Sequence, residues 1–193
     1  SGPFYYGAVL CFLFVLGLFL VNGREKWWIA LVVFISFLLS LGKNIPFLSN
    51  FMIDYFPGYN KFRDVKNIIV IQQFAMALLG MLAVKEVYLK QIDSKKFINA
   101  LKYSFAIAGG LALIFAIIPG LAGSFRGSSD AQLAQSGWPQ QLLDALINDR
   151  KMVLRTDAFR TFIFVALAAA GLWAFWTKKI KAQYALALWA VLI

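Results

Sequence analysis

Apolar residues fall in long unbroken runs along this chain, each closed by a short polar or charged segment. The first run covers Pro3 to Val21 and is closed by Asn22-Gly23-Arg24-Glu25-Lys26. The second, Trp27 to Leu41, opens on a tryptophan pair of the kind found at membrane interfaces. The third covers roughly Asn67 to Val84, the fourth Tyr103 to Ala122 and the fifth Ala158 to Trp176. A membrane span needs about 20 residues, range about 17–25, to cross about 30 Å of hydrocarbon at about 1.5 Å per residue. A sixth run begins near Ala182 and stops at Ile193 after 12 residues, too few to span. The pattern predicts an all-α polytopic membrane helix bundle of about five complete spans plus a truncated sixth. The first run has neither the basic leader nor the small-residue cleavage site of a secretory signal. The chain opens without Met almost inside a span and stops inside another, so residues 1–193 are expected to be one transmembrane segment of a larger polytopic protein.

Composition narrows the picture in the same direction. The chain is 61% hydrophobic and 15% charged, with mean hydropathy +0.72, whereas average soluble chains are about 45–50% apolar and about 25% charged. A soluble core of this size could not bury that surplus. The 19 Phe, 7 Tyr and 6 Trp exclude a disordered chain, and Cys11, the one cysteine, excludes a disulfide scaffold. Histidine is absent, which removes His general-base chemistry and His-ligated metal sites.

The formal net charge of +10 would suggest nucleic-acid binding in a soluble protein, but here the cations sit at the ends of apolar runs. No nucleic-acid partner is expected, and the lipid bilayer accounts for the basic residues. Segments 22–26, 85–102 and 177–181 carry ten basic and three acidic residues in 28 positions, against eight and six in the 60 positions of 42–66 and 123–157. Density in short loops is what the positive-inside rule weighs. It places the short loops in the cytoplasm and the long loops, 43–66 and 123–157, outside the cytoplasmic (inner) membrane.

Within the spans, small residues mark faces where helices approach closely: Ala77, Gly80 and Ala83 in the third, and Ala166, Ala170 and Ala174 in the fifth. Pro119 is expected to end or kink the fourth span. Two adjacent amides, Gln72 and Gln73, are costly in lipid and must face protein or a wet cavity. They either bond between helices or line a polar cavity open to the outer face.

The first long loop is too aromatic for a solvated segment. Phe47, Leu48, Phe51, Met52 and Tyr55 fall at helical spacing and Pro57-Gly58 follows as a stop, which predicts a short interfacial or re-entrant helix. Beyond the turn, Tyr59, Asn60, Lys61 and Arg63 present phenol, amide, ammonium and guanidinium groups at headgroup depth, a set suited to a phosphate or pyrophosphate. Snorkelling to ordinary anionic lipid is the alternative. Asp54, with Asp64, is the carboxylate there able to act on a sugar or a divalent cation. The second long loop begins with a small, polar stretch, 123–137, expected to be mobile. It continues from Pro139, at a first helical position, into an amphipathic interfacial helix whose stripe of Leu142, Leu143, Leu146, Ile147, Val153 and Leu154 is interrupted by Arg150. Asp149, Arg150, Arg155, Asp157 and Arg160 form a secondary charged cluster there, and Asp157 and Arg160 can pair at three-residue spacing. The cluster is either a salt-bridged elbow feeding the fifth span or a second set of groups around a charged substrate head.

These two loops resemble the YfhO-like family of bacterial membrane proteins. The resemblance rests on Gly42-Lys43-Asn44, Asp54-Tyr55-Phe56-Pro57-Gly58-Tyr59-Asn60-Lys61-Phe62-Arg63, Asp144-Ala145-Leu146-Ile147-Asn148-Asp149-Arg150-Lys151 and Arg155-Thr156-Asp157-Ala158-Phe159-Arg160. The opening Gly2-Pro3-Phe4-Tyr5-Tyr6-Gly7 looks similar too, and the detail is closest to members from Bacteroidetes. The resemblance implies a fold like the GT-C glycosyltransferases, which take a sugar from a polyprenyl-phosphate carrier at the outer face of the membrane. The usual acid of those enzymes lies in an outer loop near the N-terminus, and no stretch here matches it. The chain looks like a middle portion, and no catalytic residue beyond the candidate Asp54 is assigned.

Three function classes follow. The first is a membrane glycosyltransferase or its relative, with Lys61 and Arg63 holding the carrier phosphate and Tyr59 and Asn60 assisting. The second is a transporter or flippase-like protein for a lipid or polysaccharide, with Gln72 and Gln73 lining its path. The third is a non-catalytic structural membrane subunit. The expected partners are the bilayer, a polyprenyl-phosphate sugar carrier, and the rest of the same protein or other membrane subunits. No cofactor or metal is expected in this segment, although the whole protein could use a divalent cation.

Overall fold

The computed structural model describes residues 7–40, 55, 68–89, 92–123, 125, 127, 130 and 135–177, and among them every regular element is helical. Among the described residues the α-helices in order are α1 Ala8–Leu20, α2 Glu25–Ser40, α3 Ile68–Leu89, α4 Ser94–Ile117 and α5 Gln140–Trp176, with a 3-10 turn Pro119–Ala122 after α4. Three of them, α3 (22 residues), α4 (24) and α5 (37), are long and apolar enough to cross a membrane. Within the described residues α1 and α2 are 13 and 16 residues long, below the roughly 20 a span needs. The expected truncated sixth span lies outside the described residues. The chain divides into two compact units, 1–104 and 105–193, with the boundary inside α4.

In the first unit α3 packs along both α1 and α2, which scarcely touch each other. Its buried face is Ile69, Gln72, Ala75, Met76, Leu79, Gly80, Ala83 and Val87. The opposite face carries Val70, Phe74 and Met81, each about two-thirds exposed. A helix apolar on opposite sides, with one of them uncovered, is suited to hydrocarbon rather than water. Trp27 and Trp28, both 68% exposed, open α2 in the same way. Gly80 and Ala83 lie on the packing face of α3, as their spacing suggests, while Ala77 is half-buried. The closest approach, however, is made by Gly17 of α1, against Leu79.

The end of α1 is closed by cations from elsewhere in the chain. Lys26 Nζ donates to the Leu18 carbonyl (3.1 Å), and Lys96 Nζ donates to the Leu20 carbonyl (3.4 Å) and to Asn22 Oδ1 (2.5 Å). Unpaired carbonyls and the negative end of the helix dipole make this a favourable place for ammonium groups. The Lys96–Asn22 bond also brings segments 22–26 and 85–102 to the same end of the unit. The turn between α1 and α2 is made at Gly23, whose φ of +123° suits glycine.

In the second unit α4 ends at Ile117 because Pro119 follows two residues later. Ile118 leaves the helical region (φ −122°, ψ 72°), and Pro119 starts the 3-10 turn, which touches α5. Pro119 therefore ends the helix. Pro139 is the N-cap of α5 rather than its first helical residue, which is Gln140, and its carbonyl accepts from Leu142 N at 3.0 Å.

Two expectations for this region are corrected. No elbow separates an interfacial helix from a span, since Gln140–Trp176 is one continuous helix. The stretch from 140 to 170 contains neither Gly nor Pro, so nothing interrupts it. The buried stripe of its apolar half is Val165, Ala168, Ala169 and Leu172. Ala170 is exposed and Ala166 and Ala174 are half-buried. Burial here follows the larger neighbours rather than the four-residue alanine step.

Candidate functional site

The polar half of α5 carries the charged residues singled out in the sequence, and the helix separates them. Arg150 is half-buried and holds the preceding loop. Its Nη1 donates to Asp130 Oδ2 (2.6 Å) and to the Phe125 carbonyl (2.8 Å), and its Nη2 donates to Asp130 Oδ1 (2.9 Å). Asp130 Oδ2 also accepts from Gly127 N at 2.7 Å, and Asp130 N donates to the Gly127 carbonyl at 3.0 Å. Phe125 adopts a φ of +55°, which aims its carbonyl at the guanidinium and is unusual for an aromatic residue. The hydrogen bonds to Asp130 push the Arg150 pKa further above its ordinary value, so the group stays charged. Within the stretch expected to be mobile, Phe125 and Asp130 are thus bonded to α5 through Arg150, and Gly127 is bonded to Asp130.

Arg155 lies five residues on, about 140° around the helix from Arg150 at about 100° per residue. It lines an open cavity of about 430 Å³ with Thr156 and Phe159 of α5 and Leu113, Ala116 and Ile117 of α4. Arg160 follows a third course, its guanidinium 5.2 Å from the centre of the Phe164 ring, a cation–π contact one turn along the same helix. Among the described residues the ion pair formed is Arg150–Asp130. Asp157 and Arg160 do not pair, and Asp149, Arg155, Asp157 and Arg160 are all exposed. The five residues of the expected charged cluster therefore do not converge on one ligand. Angular position on the helix divides them into a loop tether, a cavity wall and an exposed face.

Gln72 is buried on the face of α3 that meets α1 and α2, and Gln73 is half-buried beside it. One turn further along, Ala75 and Met76 join Val33 in a small core, with Leu10, Cys11, Phe14 and Ile29 packed around it. Gln72 thus borders the seam of three helices. Tyr59, Asn60, Lys61, Arg63, Asp54 and Asp64, the candidate phosphate and catalytic residues, lie outside the described residues. Tyr55, at the end of the expected interfacial helix, is helical and 75% exposed. Among the described residues no three Cys, Asp or Glu side chains come together as a metal site.

Sequence reasoning missed three features. Asp130 as the partner of Arg150 is 20 residues away along the chain, a distance that helical spacing does not address. Lys96 closing α1 is 74 residues from Asn22. Ser104, fully buried with no hydrogen-bond partner for its hydroxyl, lay unnoticed inside an apolar run. The separation of Arg150 from Arg155 was available from the helical angle alone.

No family model matches this chain, and no curated protein or solved structure matches it significantly.

Proposed function

We propose that this chain is part of a multi-spanning bacterial inner-membrane protein, with five complete spans and a truncated sixth, that handles a polyprenyl-phosphate-linked sugar at the outer face in the manner of the GT-C glycosyltransferases it resembles. The observation that carries the reading is the build of α5, one helix with an apolar half from Ala158 onward and a charged half before it, in which Arg150, Lys151 and Arg155 accompany Asp144, Asp149 and Asp157. If the apolar half lies in the bilayer, Arg150, Lys151 and Arg155 stand at headgroup depth, where a carrier's phosphate must lie. Loops 43–66 and 123–157 then face outward. Lys61 and Arg63 grip the phosphate, Tyr59 and Asn60 add hydrogen bonds, and Asp54 is the nearby carboxylate. A transporter or flippase-like role is the second reading, favoured by the burial of Gln72 at the three-helix seam.

The test is Arg63→Lys. Arg offers a planar fork that binds two phosphate oxygens, while Lys offers a point charge. Losing a charge-assisted hydrogen bond costs about 1.5–3 kcal/mol, roughly 10- to 150-fold in binding. Polyprenyl-phosphate binding, or sugar transfer by the intact protein, is measured for wild type and Arg63→Lys at equal expression. A loss of that size supports the reading, and equal values reject it.

A further inference from the structure

The three arginines of α5 have different neighbours. Arg150 is held by Asp130 and Arg160 lies over Phe164, but Arg155 has no carboxylate within ion-pair distance among the described residues. It opens instead on the cavity it shares with Thr156. Lys151 stands four residues earlier on the same helix face, and like charges at that spacing weaken a helix unless an anion lies between them. Asp157, the nearest acidic residue along the helix, points about 160° away from Arg155 at about 100° per residue. The rest of the lining is hydrocarbon: Leu113, Ala116 and Ile117 at the end of α4 and the half-exposed Phe159 on α5. Deeper along the apolar half of α5, Phe162 and Phe105 of α4 meet with ring centres 5.9 Å apart. The cavity therefore has an unpaired guanidinium and a hydroxyl where the polar half of α5 gives way to the apolar half, and an oily wall that continues toward the ring pair.

We propose that this cavity seats one anionic glycerophospholipid of the surrounding bilayer. Its phosphodiester accepts from the Arg155 fork and the Thr156 hydroxyl, with Lys151 one turn further out, and an acyl chain lies along Leu113, Ile117 and Phe159. Charge complementarity selects this occupant: the lining offers a guanidinium and a hydroxyl with no acidic residue, and with the apolar half of α5 in the bilayer the site would fall near the depth of lipid phosphates. The assignment is independent of Arg63 and of the carrier reading.

The experiment is native mass spectrometry of the intact protein released from micelles containing equal amounts of phosphatidylglycerol and phosphatidylcholine. Wild type is expected to retain one phosphatidylglycerol in preference to phosphatidylcholine. Arg155→Gln is expected to lower that retention about 10-fold or more, Arg155→Lys to lower it less, and Arg24→Gln to leave it unchanged. Equal retention of the two lipids would overturn the proposal, as would wild-type retention by Arg155→Gln. Displacement of the lipid by excess inorganic phosphate, which would mark a simple anion site, or by an equal amount of polyprenyl phosphate, which would mark a carrier site, would also overturn it. Should Arg155→Gln fail to insert, Thr156→Val decides: a several-fold loss supports the proposal and unchanged retention rejects it.

Discussion

A β-carbon placed on Gly17 would lie 2.7 Å from Leu79 Cγ and 2.8 Å from the Leu79 carbonyl oxygen. The backbones of α1 and α3 thus meet at a point that admits hydrogen alone, and Leu16, Leu20 and Leu79 are fully buried around it. In a bilayer, where lipid tails are as apolar as leucine, this close backbone contact supplies the attraction that water would supply elsewhere.

The first prediction follows from that contact. Gly17→Ala should destabilise the protein by about 1–3 kcal/mol, the usual range for overpacking a tight core. Gly80→Ala should do less harm, because its new methyl would meet the Leu13 side chain at 3.1 Å rather than backbone. Thermal unfolding in detergent measures both. A larger effect at Gly80 than at Gly17 would contradict the contact.

The tether around Arg150 is the subject of the second. Asp130→Asn and Arg150→Gln should each raise the hydrogen-exchange rate of the Gly127 amide, which donates to Asp130. Their double variant should add little, because both changes break one unit. Simple additivity, or an amide indifferent to either change, would remove Asp130 as the partner.

Third, Lys96→Met should lower stability by about 0.3–1 kcal/mol, the usual worth of a cation at a helix C-terminus. Lys96→Arg should restore most of it. A thermal melt unaltered by Lys96→Met would show that the bonds to Asn22 and the Leu20 carbonyl contribute nothing net.

Sidedness gives the fourth. With Cys11 replaced by Ser, single cysteines at Ser49 and Ser129 should react with an impermeant thiol reagent in intact cells or spheroplasts. Cysteines at Glu25 and Ser94 should react after permeabilisation alone. These last two must behave alike, because the Lys96–Asn22 bond brings their segments to one end of the first unit. The reverse pattern would invert the topology, and a split between Glu25 and Ser94 would contradict the bond itself.

Much of the fold was legible where the signal is local. The apolar runs located α3 and the second half of α5, and Gly80 and Ala83 were placed correctly on a packing face. The run from Tyr103 missed the start of α4 at Ser94, and most of the expected loop 85–102 is helical because most of its charged residues are good helix formers. Pro119 could be read as a helix end because its ring constrains Ile118 directly. Gly17 was passed over because a single glycine between leucines has no pattern, and its role depends on Leu79, 62 positions away. The fifth-span stripe failed for a related reason: Ala166, Ala168, Ala169, Ala170, Gly171 and Ala174 put small residues on every side of the helix, so Ala166, Ala170 and Ala174 could not be told from the Val165, Ala168 and Leu172 side. At the candidate site, the residue types were recognised but not their directions. Arg150 and Arg155 were grouped by proximity along the chain, whereas the helical turn sends one to Asp130 and the other to the cavity with Thr156.

The unbroken run of α5 has a mechanical consequence. At about 1.5 Å per residue its 37 residues extend about 55 Å, well beyond the roughly 30 Å of a hydrocarbon layer. With its apolar half as the fulcrum, the remaining polar half is a stiff lever arm of about 27 Å. A change of about 10° in tilt inside the bilayer would sweep the far tip sideways by about 5 Å. The residues clasped by Arg150 lie partway along that arm and would be carried with it, so small adjustments among lipid-facing side chains would be amplified at the far end of the helix.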